Sequence, residues 1–519
     1  MSNHGSGPLS ITVNLVNTVL GAGLVASASA FKSQGVILGA FTNILYLVIS
    51  IIAFNWIIEC GDHRRKYSFQ TLLLDVFPKY KSCGFGINVI VLLFTWFCIL
   101  SYAILISSFM PNLVTLVVPS IEGKWFVSGQ VCLIVIATTV LLPLSLQTTV
   151  GPLVYASSAA ALVVLYLMIY GVYALVKSNS TSVSFLDPEI EQGEVYLFKF
   201  DTFFVGVGLY GFMYAAHVGA FGLYKGLRNR SVASFRVITF VAFSCIGSIL
   251  TVVGICYYLL IGDAVRGNFL DSLDGCRSGV LLANFLLFSL VTVSFPILAL
   301  YVRDSLADLF FSTPIMVAVE GEDCEALSNI FSRSSDEYNE IGRLTNHTDD
   351  DENNLSNVDI DTDALRPLDM KMSELRTSPL IDLDETYVDV LPIPAAAEEE
   401  DHSLDLGKTD EFTYEAALDY SKPEATGTDR LTSKQRVLVT LGIVYFTVFV
   451  ALLVPDVLIV FSFSGSLLAS IIVFVFPAFV RLYCGLPVTK LTKAMCIFSI
   501  VVGCMTAVVG TTQSVQVLL

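Results

Sequence analysis

The chain has 519 residues, of which 54% are hydrophobic and 14% charged, with a mean hydropathy of +0.72. A water-soluble fold cannot hide that much apolar surface, so a membrane protein is expected, with no nucleic-acid partner. The net charge of −17 sits largely in one stretch near residues 311–433.

About eleven stretches are apolar and long enough to span a bilayer: residues 9–31, 36–58, 86–118, 127–146, 150–176, 201–224, 235–261, 278–302, 436–454, 457–480 and 493–513. No cleaved signal peptide is expected, because residues 1–10 hold no Lys or Arg and the first span is too long.

Residues 9–35 read LSITVNLVNTVLGAGLVASASAFKSQG. Asn14 and Asn17 place two amides in hydrocarbon, which is costly unless something binds them. Gly21 and Gly23 flank a single residue and let the backbone leave the helix. A broken helix in a membrane is tolerated where it lines a cavity or is buried in protein. Secondary transporters build substrate sites this way, so Gly21, Ala22, Gly23 and Leu24 are candidate substrate contacts. The alternative is an ordinary helix with small residues at a packing interface.

Basic residues cluster after span two (Arg64, Arg65, Lys66, Lys79, Lys81), after span six (Lys225, Arg228, Arg230) and after span ten (Arg481, Lys490). Positive-inside then makes that side cytoplasmic, with the N-terminus inside and the C-terminus outside. Loops 119–126, 177–200 and 263–277 fall outside or in a lumen. Asn179-Ser180-Thr181 is a glycosylation acceptor there. Cys276 is the one cysteine clearly in an outer loop, so no disulfide between outer loops is expected, nor do the eleven cysteines form a metal or redox motif.

Span six is the other interrupted span. Residues 201–225 read DTFFVGVGLYGFMYAAHVGAFGLYK, with Gly206, Gly208, Gly211, Gly219 and Gly222. Interrupted spans opening two five-span halves mark an inverted repeat with a midplane site, which adds Tyr210, Gly211 and Tyr214 to the candidate substrate contacts. A glycine-rich packing helix is the alternative. His217 is the one ionisable group expected within a span, either packed or pH-sensitive. The spans otherwise hold no mid-span Asp, Glu, Lys or Arg. A cationic substrate would want a buried carboxylate, and an anionic one an Arg. A zwitterion needs neither, since freed N–H and C=O groups at half-helix ends can hold both its charges. No nucleophile–base pair, phosphate loop or metalloprotease motif is present, so no enzyme is expected and no cofactor.

Residues 311–433 carry 31 of the 46 acidic residues and eight basic ones. Rich in Asp, Glu, Ser, Thr and Asn, the stretch is expected to be a disordered cytoplasmic loop. It divides the membrane domain into residues 1–310, with spans one to eight, and 434–519, with spans nine to eleven. Tyr338 and Tyr387 begin short tyrosine-based patterns of the kind sorting adaptors read.

Several of these residues resemble a known family in order along the chain. Asn14–Leu24 with Gly35, Pro143-Leu144-Ser145-Leu146, Gly211–His217, Thr292-Val293-Ser294-Phe295-Pro296 with Arg303, and Phe476-Pro477-Ala478 are similar to motifs of the amino acid/auxin permease superfamily. The likeness is to its sodium-coupled neutral amino acid transporters and their vacuolar relatives. Gly211 stands for that family's Ala, and Ala216 for its Cys. The resemblance implies an all-α LeuT-type fold of eleven transmembrane helices, a 5+5 inverted repeat and broken helices one and six. It also implies a coupling-cation site at Asn17, Leu20, Thr292 and Ser294. Sodium is favoured because these offer hard neutral oxygens; protons are the alternative. The expected protein is thus a monomeric, cation-coupled transporter of neutral amino acids in a plasma, vacuolar or lysosomal membrane. A proton-coupled vacuolar or lysosomal amino acid exporter, or an amino acid sensor with little flux, is the alternative reading.

Overall fold

In a computed structural model of the chain, the described residues are 6–118, 120, 123–147, 154–181, 183–228, 230–275, 277–310 and 431–518. The acidic stretch up to residue 430, with Tyr338 and Tyr387, lies outside them, as do Cys276 and the side chain of Ala22. Every regular element among the described residues is helical; extended chain forms only the isolated bridges Ser6–Leu227 and Leu186–Leu273.

Helix α1 (Pro8–Gln34) starts with Pro8 at its first position, where no N–H is needed, and ends at Gly35. Gly35 has φ +78°, and a Cβ there would lie 2.8 Å from the backbone of Leu197, so only glycine fits. Next come α2 (Val36–Arg64), the short α3 (Phe69–Val76) capped by the Ser68 hydroxyl, and α4 (Lys81–Val117). Helix α5 (Gly129–Ser145) widens to a π turn over Ala137–Leu141, just ahead of Pro143. Proline cannot donate to the preceding turn, and the wider turn absorbs that loss. Then follow α6 (Val154–Thr181), α7 (Phe203–Tyr214), α8 (Ala220–Lys225), α9 (Val232–Ile261), α10 (Ser278–Phe310), α11 (Ser433–Leu453), α12 (Val457–Tyr483) and α13 (Lys490–Gln516). Helix α12 carries π turns immediately before Pro477, for the same reason as α5.

Nine helices among the described residues are long and apolar enough to cross a membrane, counting Phe203–Lys225 as one, and the bent α1 makes a tenth. The stretch expected as the fourth of eleven spans differs. At 1.5 Å per residue α5 is about 25 Å long, short of the roughly 30 Å of hydrocarbon.

Helix α1 packs most extensively on α9 and α7, and α4 packs on α10. A buried polar cluster ties α2, α7 and α9 together. Tyr214 donates to Asn43 Oδ1 at 2.8 Å, and Asn43 Nδ2 donates to Thr251 Oγ1 at 2.6 Å and Gly247 O at 2.9 Å. Asn43 is 1% exposed. Replacing it strands these groups away from water, so Asn43→Ala is expected to cost about 1–3 kcal/mol of stability. A lower Tm in detergent checks this; an unchanged Tm would show that the cluster is dispensable.

Arg303 is 1% exposed and gathers three elements near the end of α10. Its guanidinium donates to Ser145 O at 3.2 Å, Gln147 O at 3.1 Å and Thr440 Oγ1 at 3.1 Å. The first two carbonyls sit at the C-terminus of α5, the negative end of its dipole, which offsets the cost of burying the charge.

Candidate functional site

At Gly21 the backbone of α1 leaves helical geometry, with φ −54° and ψ −107°. The halves Pro8–Gly21 and Gly23–Gln34 meet at 55°. A side chain at Gly21 would collide with the hydroxyl of Tyr102 on α4. Leu20 and Leu24, on either side of the break, are fully buried.

The break in span six lies beside it. Helix α7 ends at Tyr214, Ala215 has φ −80° and ψ 41°, and the chain continues as a 3₁₀ turn over Ala216–Gly219 before α8. A Cβ on Gly23 would stand 3.3 Å from Met213 Cγ and 3.4 Å from its Cα. Two residues before its own break, α7 therefore touches α1 two residues after the other break. Helix termini leave backbone N–H and C=O groups without intrahelical partners. Two interrupted helices meeting in this way bring both kinds of group into one region.

The glycines of α7 serve packing. Gly206 lies against Gln34 of α1, Gly208 against Ser466, and a Cβ on Gly211 would sit 2.7 Å from the carbonyl of Gly465 on α12. Tyr210 is fully buried, with its ring 6.4 Å from that of Phe31 and 6.0 Å from that of Tyr46. Its hydroxyl meets no hydrogen-bond partner among the described residues. Tyr214 lies 6.1 Å from Tyr46, and its hydroxyl is taken by Asn43. His217 is fully buried in the 3₁₀ turn, with Phe54 at 5.2 Å and Phe243 at 6.2 Å between ring centres.

Of the expected ion ligands, Asn17 is half-buried, one turn before Gly21. Thr292, on α10, is 7% exposed, and its hydroxyl has no hydrogen-bond partner among the described residues. Elsewhere in these spans, threonines donate back to the carbonyl four residues earlier, as Thr239, Thr440 and Thr447 do at 2.7–2.9 Å. Ser294 is half-buried. Helices α1 and α10 touch. Asn179 is exposed within the last turn of α6. Its acceptor sequence is thus helical, and the Ser180 and Thr181 hydroxyls bond back to Val176 O and Lys177 O at 2.7 Å.

Tyr102 and Asn284 join the candidates only in three dimensions. Asn284 is 1% exposed, and neither end of its amide has a partner among the described residues. The cost argument applied to Asn14 and Asn17 applies equally to this amide in span eight. A lone tyrosine in an apolar span offers no comparable signal.

A family model for transmembrane amino acid transporter proteins matches residues 4–516. The chain belongs to the transmembrane amino acid transporter family. It is 26% identical over 302 residues to vacuolar amino acid transporter 7 of Saccharomyces cerevisiae, covering 56% of this chain and 57% of that one. It is 25% identical over 298 residues to vacuolar amino acid transporter 5 of Schizosaccharomyces pombe, covering 56% and 67%. Against sodium-coupled neutral amino acid transporter 7 of Xenopus laevis it is 24% identical over 298 residues, covering 57% and 64%. The aligned region thus spans roughly three-fifths of these relatives' lengths. As a member of this transporter family the chain is a multi-pass membrane protein.

Proposed function

We propose that this protein is a secondary active transporter of neutral amino acids, working by alternating access on a LeuT-type, 5+5 inverted-repeat fold. The observation that carries the reading is the 55° break of α1 at Gly21, set against the end of α7 in a chain of this family. The amino acid's backbone charges are held by freed main-chain groups around Gly21–Leu24 and around Tyr210–Ala215. A neutral side chain suits walls without carboxylate or guanidinium. Sodium is the coupling ion, held by Asn17, Thr292, Ser294 and the main chain near Leu20. The Thr292 hydroxyl, without a partner among the described residues, supports this, because a buried hydroxyl is costly until something binds it. The N-terminus faces the cytoplasm, and the membrane is vacuolar, lysosomal or plasma membrane.

Uptake of radiolabelled neutral amino acids into proteoliposomes, with and without a sodium gradient, tests the reading. Uptake that needs the gradient supports it. Binding without uptake would make the protein a sensor instead. Uptake indifferent to replacing sodium by choline would overturn the ion assignment.

Residues 311–433 act in localisation or turnover rather than transport. Long insertions at a surface cost little stability. Deleting residues 320–425 is therefore expected to leave transport per surface molecule within about two-fold while changing where the protein accumulates. Loss of transport in the purified, reconstituted deletion would show instead that the segment gates the cytoplasmic side.

A further inference from the structure

The loop joining α9 to α10 is fastened to two helices that part if α1 pivots at Gly21. Its backbone is held by the second half of α1: Ser29 donates to Arg266 O at 3.1 Å and Lys32 to Val265 O at 2.7 Å. Its 3₁₀ turn, Phe269–Ser272, also packs on α1. The loop's grip on α4 is a side-chain bond. Ser108 Oγ lies 2.8 Å from both carboxylate oxygens of Asp271, and Asn268 Nδ2 donates to Asp271 Oδ1 at 2.9 Å and to Ser108 Oγ at 3.0 Å. Asn268 is itself 2% exposed. A swing of the outer half of α1 carries the loop with it, and the contacts of Asp271 and Asn268 with Ser108 are those across to α4 that break.

We propose that Asp271 is a proton-binding latch on the outer side. Closed, it joins the loop and the outer half of α1 to α4, and a proton taken from the outer solution favours that closed arrangement. This rests on the transport reading and the orientation given above. The charged groups facing Asp271 are Arg266 of its own loop and Asp456 at the head of α12. Helix α4 presents the neutral Ser108. Lys32 of α1 faces Asp263, Lys199 and Asp456 instead, and Asp274 is paired with Arg277 at the start of α10.

Burial is the largest influence on the Asp271 carboxyl and pushes it up to about 6; Asp456 adds to this, while Ser108, Arg266 and Asn268 pull the other way. Opening the loop hydrates the group and returns it toward the ordinary carboxylate value of about 4. The closed form then binds the proton more tightly. By linkage it gains as the outer pH falls through about 6, and the gain is complete below about 4, with an upper limit of about a hundred-fold in the closed-to-open ratio. Closing the outer side is the step that follows amino acid entry, so acid outside speeds uptake.

The test uses full-length protein in proteoliposomes, with the inner pH fixed and the outer pH varied between about 7.5 and about 5. Wild-type uptake is expected to rise by up to about ten-fold, the rise setting in near pH 6 and continuing to the acid end of the range. Asp271→Asn is expected to be flat over this range. Ser108→Ala removes a donor that favours the charged carboxylate, so the onset of its rise moves to higher pH. That variant keeps Asp271, and it decides the matter if Asp271→Asn does not fold. An Asp271→Asn profile like wild type, or a Ser108→Ala onset unmoved or lowered, overturns the proposal. A flat wild-type profile with normal uptake overturns the latch alone. Wild type without uptake at any pH overturns the transport reading and the latch with it.

Discussion

Leucine at position 21 is expected to abolish uptake while the protein still reaches its membrane. Two effects combine there. In the proposed site a side chain fills the space through which the substrate approaches the main chain, and its first carbon collides with the Tyr102 hydroxyl. Alanine isolates the second effect. Gly21→Ala is expected to lower uptake per surface molecule by about ten-fold or more, equivalent to roughly 1.4 kcal/mol in the transition state. Tyr102→Phe removes the colliding oxygen and leaves the next ring atom 3.3 Å from the new carbon, tight but tolerable. The double variant should therefore recover part of the activity. Uptake and surface biotinylation, measured together, separate transport from trafficking. Normal uptake by Gly21→Leu would mean that the substrate does not approach this break.

The second large effect concerns sodium. Asn17→Ala is expected to raise the sodium concentration for half-maximal uptake by about ten-fold or more, and Thr292→Ala by a lesser factor, since in the proposed ion site each removes one neutral oxygen ligand. Thr292→Val adds a sharper test. It removes a hydroxyl that is buried without a partner among the described residues, so stability measured without sodium should not fall while the sodium requirement rises. A threonine with a purely structural role would show the reverse. Sodium dependence unchanged in both Asn17→Ala and Thr292→Ala would remove these residues from the ion site.

Much of the architecture follows from the hydropathy pattern, and the break in α1 from two glycines around one residue. The break in span six was expected from its glycines, yet it falls at Ala215, after the first three of them. Gly206, Gly208 and Gly211 have tertiary work: they let α7 approach α1 and α12 closely. Composition cannot distinguish a glycine that breaks a helix from one that admits a neighbour, because the difference lies in what stands opposite. Helix α5 looked like a full span because its flanks are apolar, but Pro143 and the turn it disturbs shorten the regular part. Asp271 reads in sequence as an ordinary loop carboxylate. Only the folding of its loop onto α4 encloses it, and no local pattern records that contact. Tyr102 escaped notice for the same reason, its importance coming from the residue it meets.

The grip of Arg303 on Thr440 reaches across the long acidic stretch between α10 and α11. The last three helices are held by contacts such as this one, α11 against α4 and α12 against α7, and not by the peptide that leads to them. A protease that cuts within the acidic stretch would therefore release no helix. The product is a nicked, two-chain assembly that stays together in the membrane.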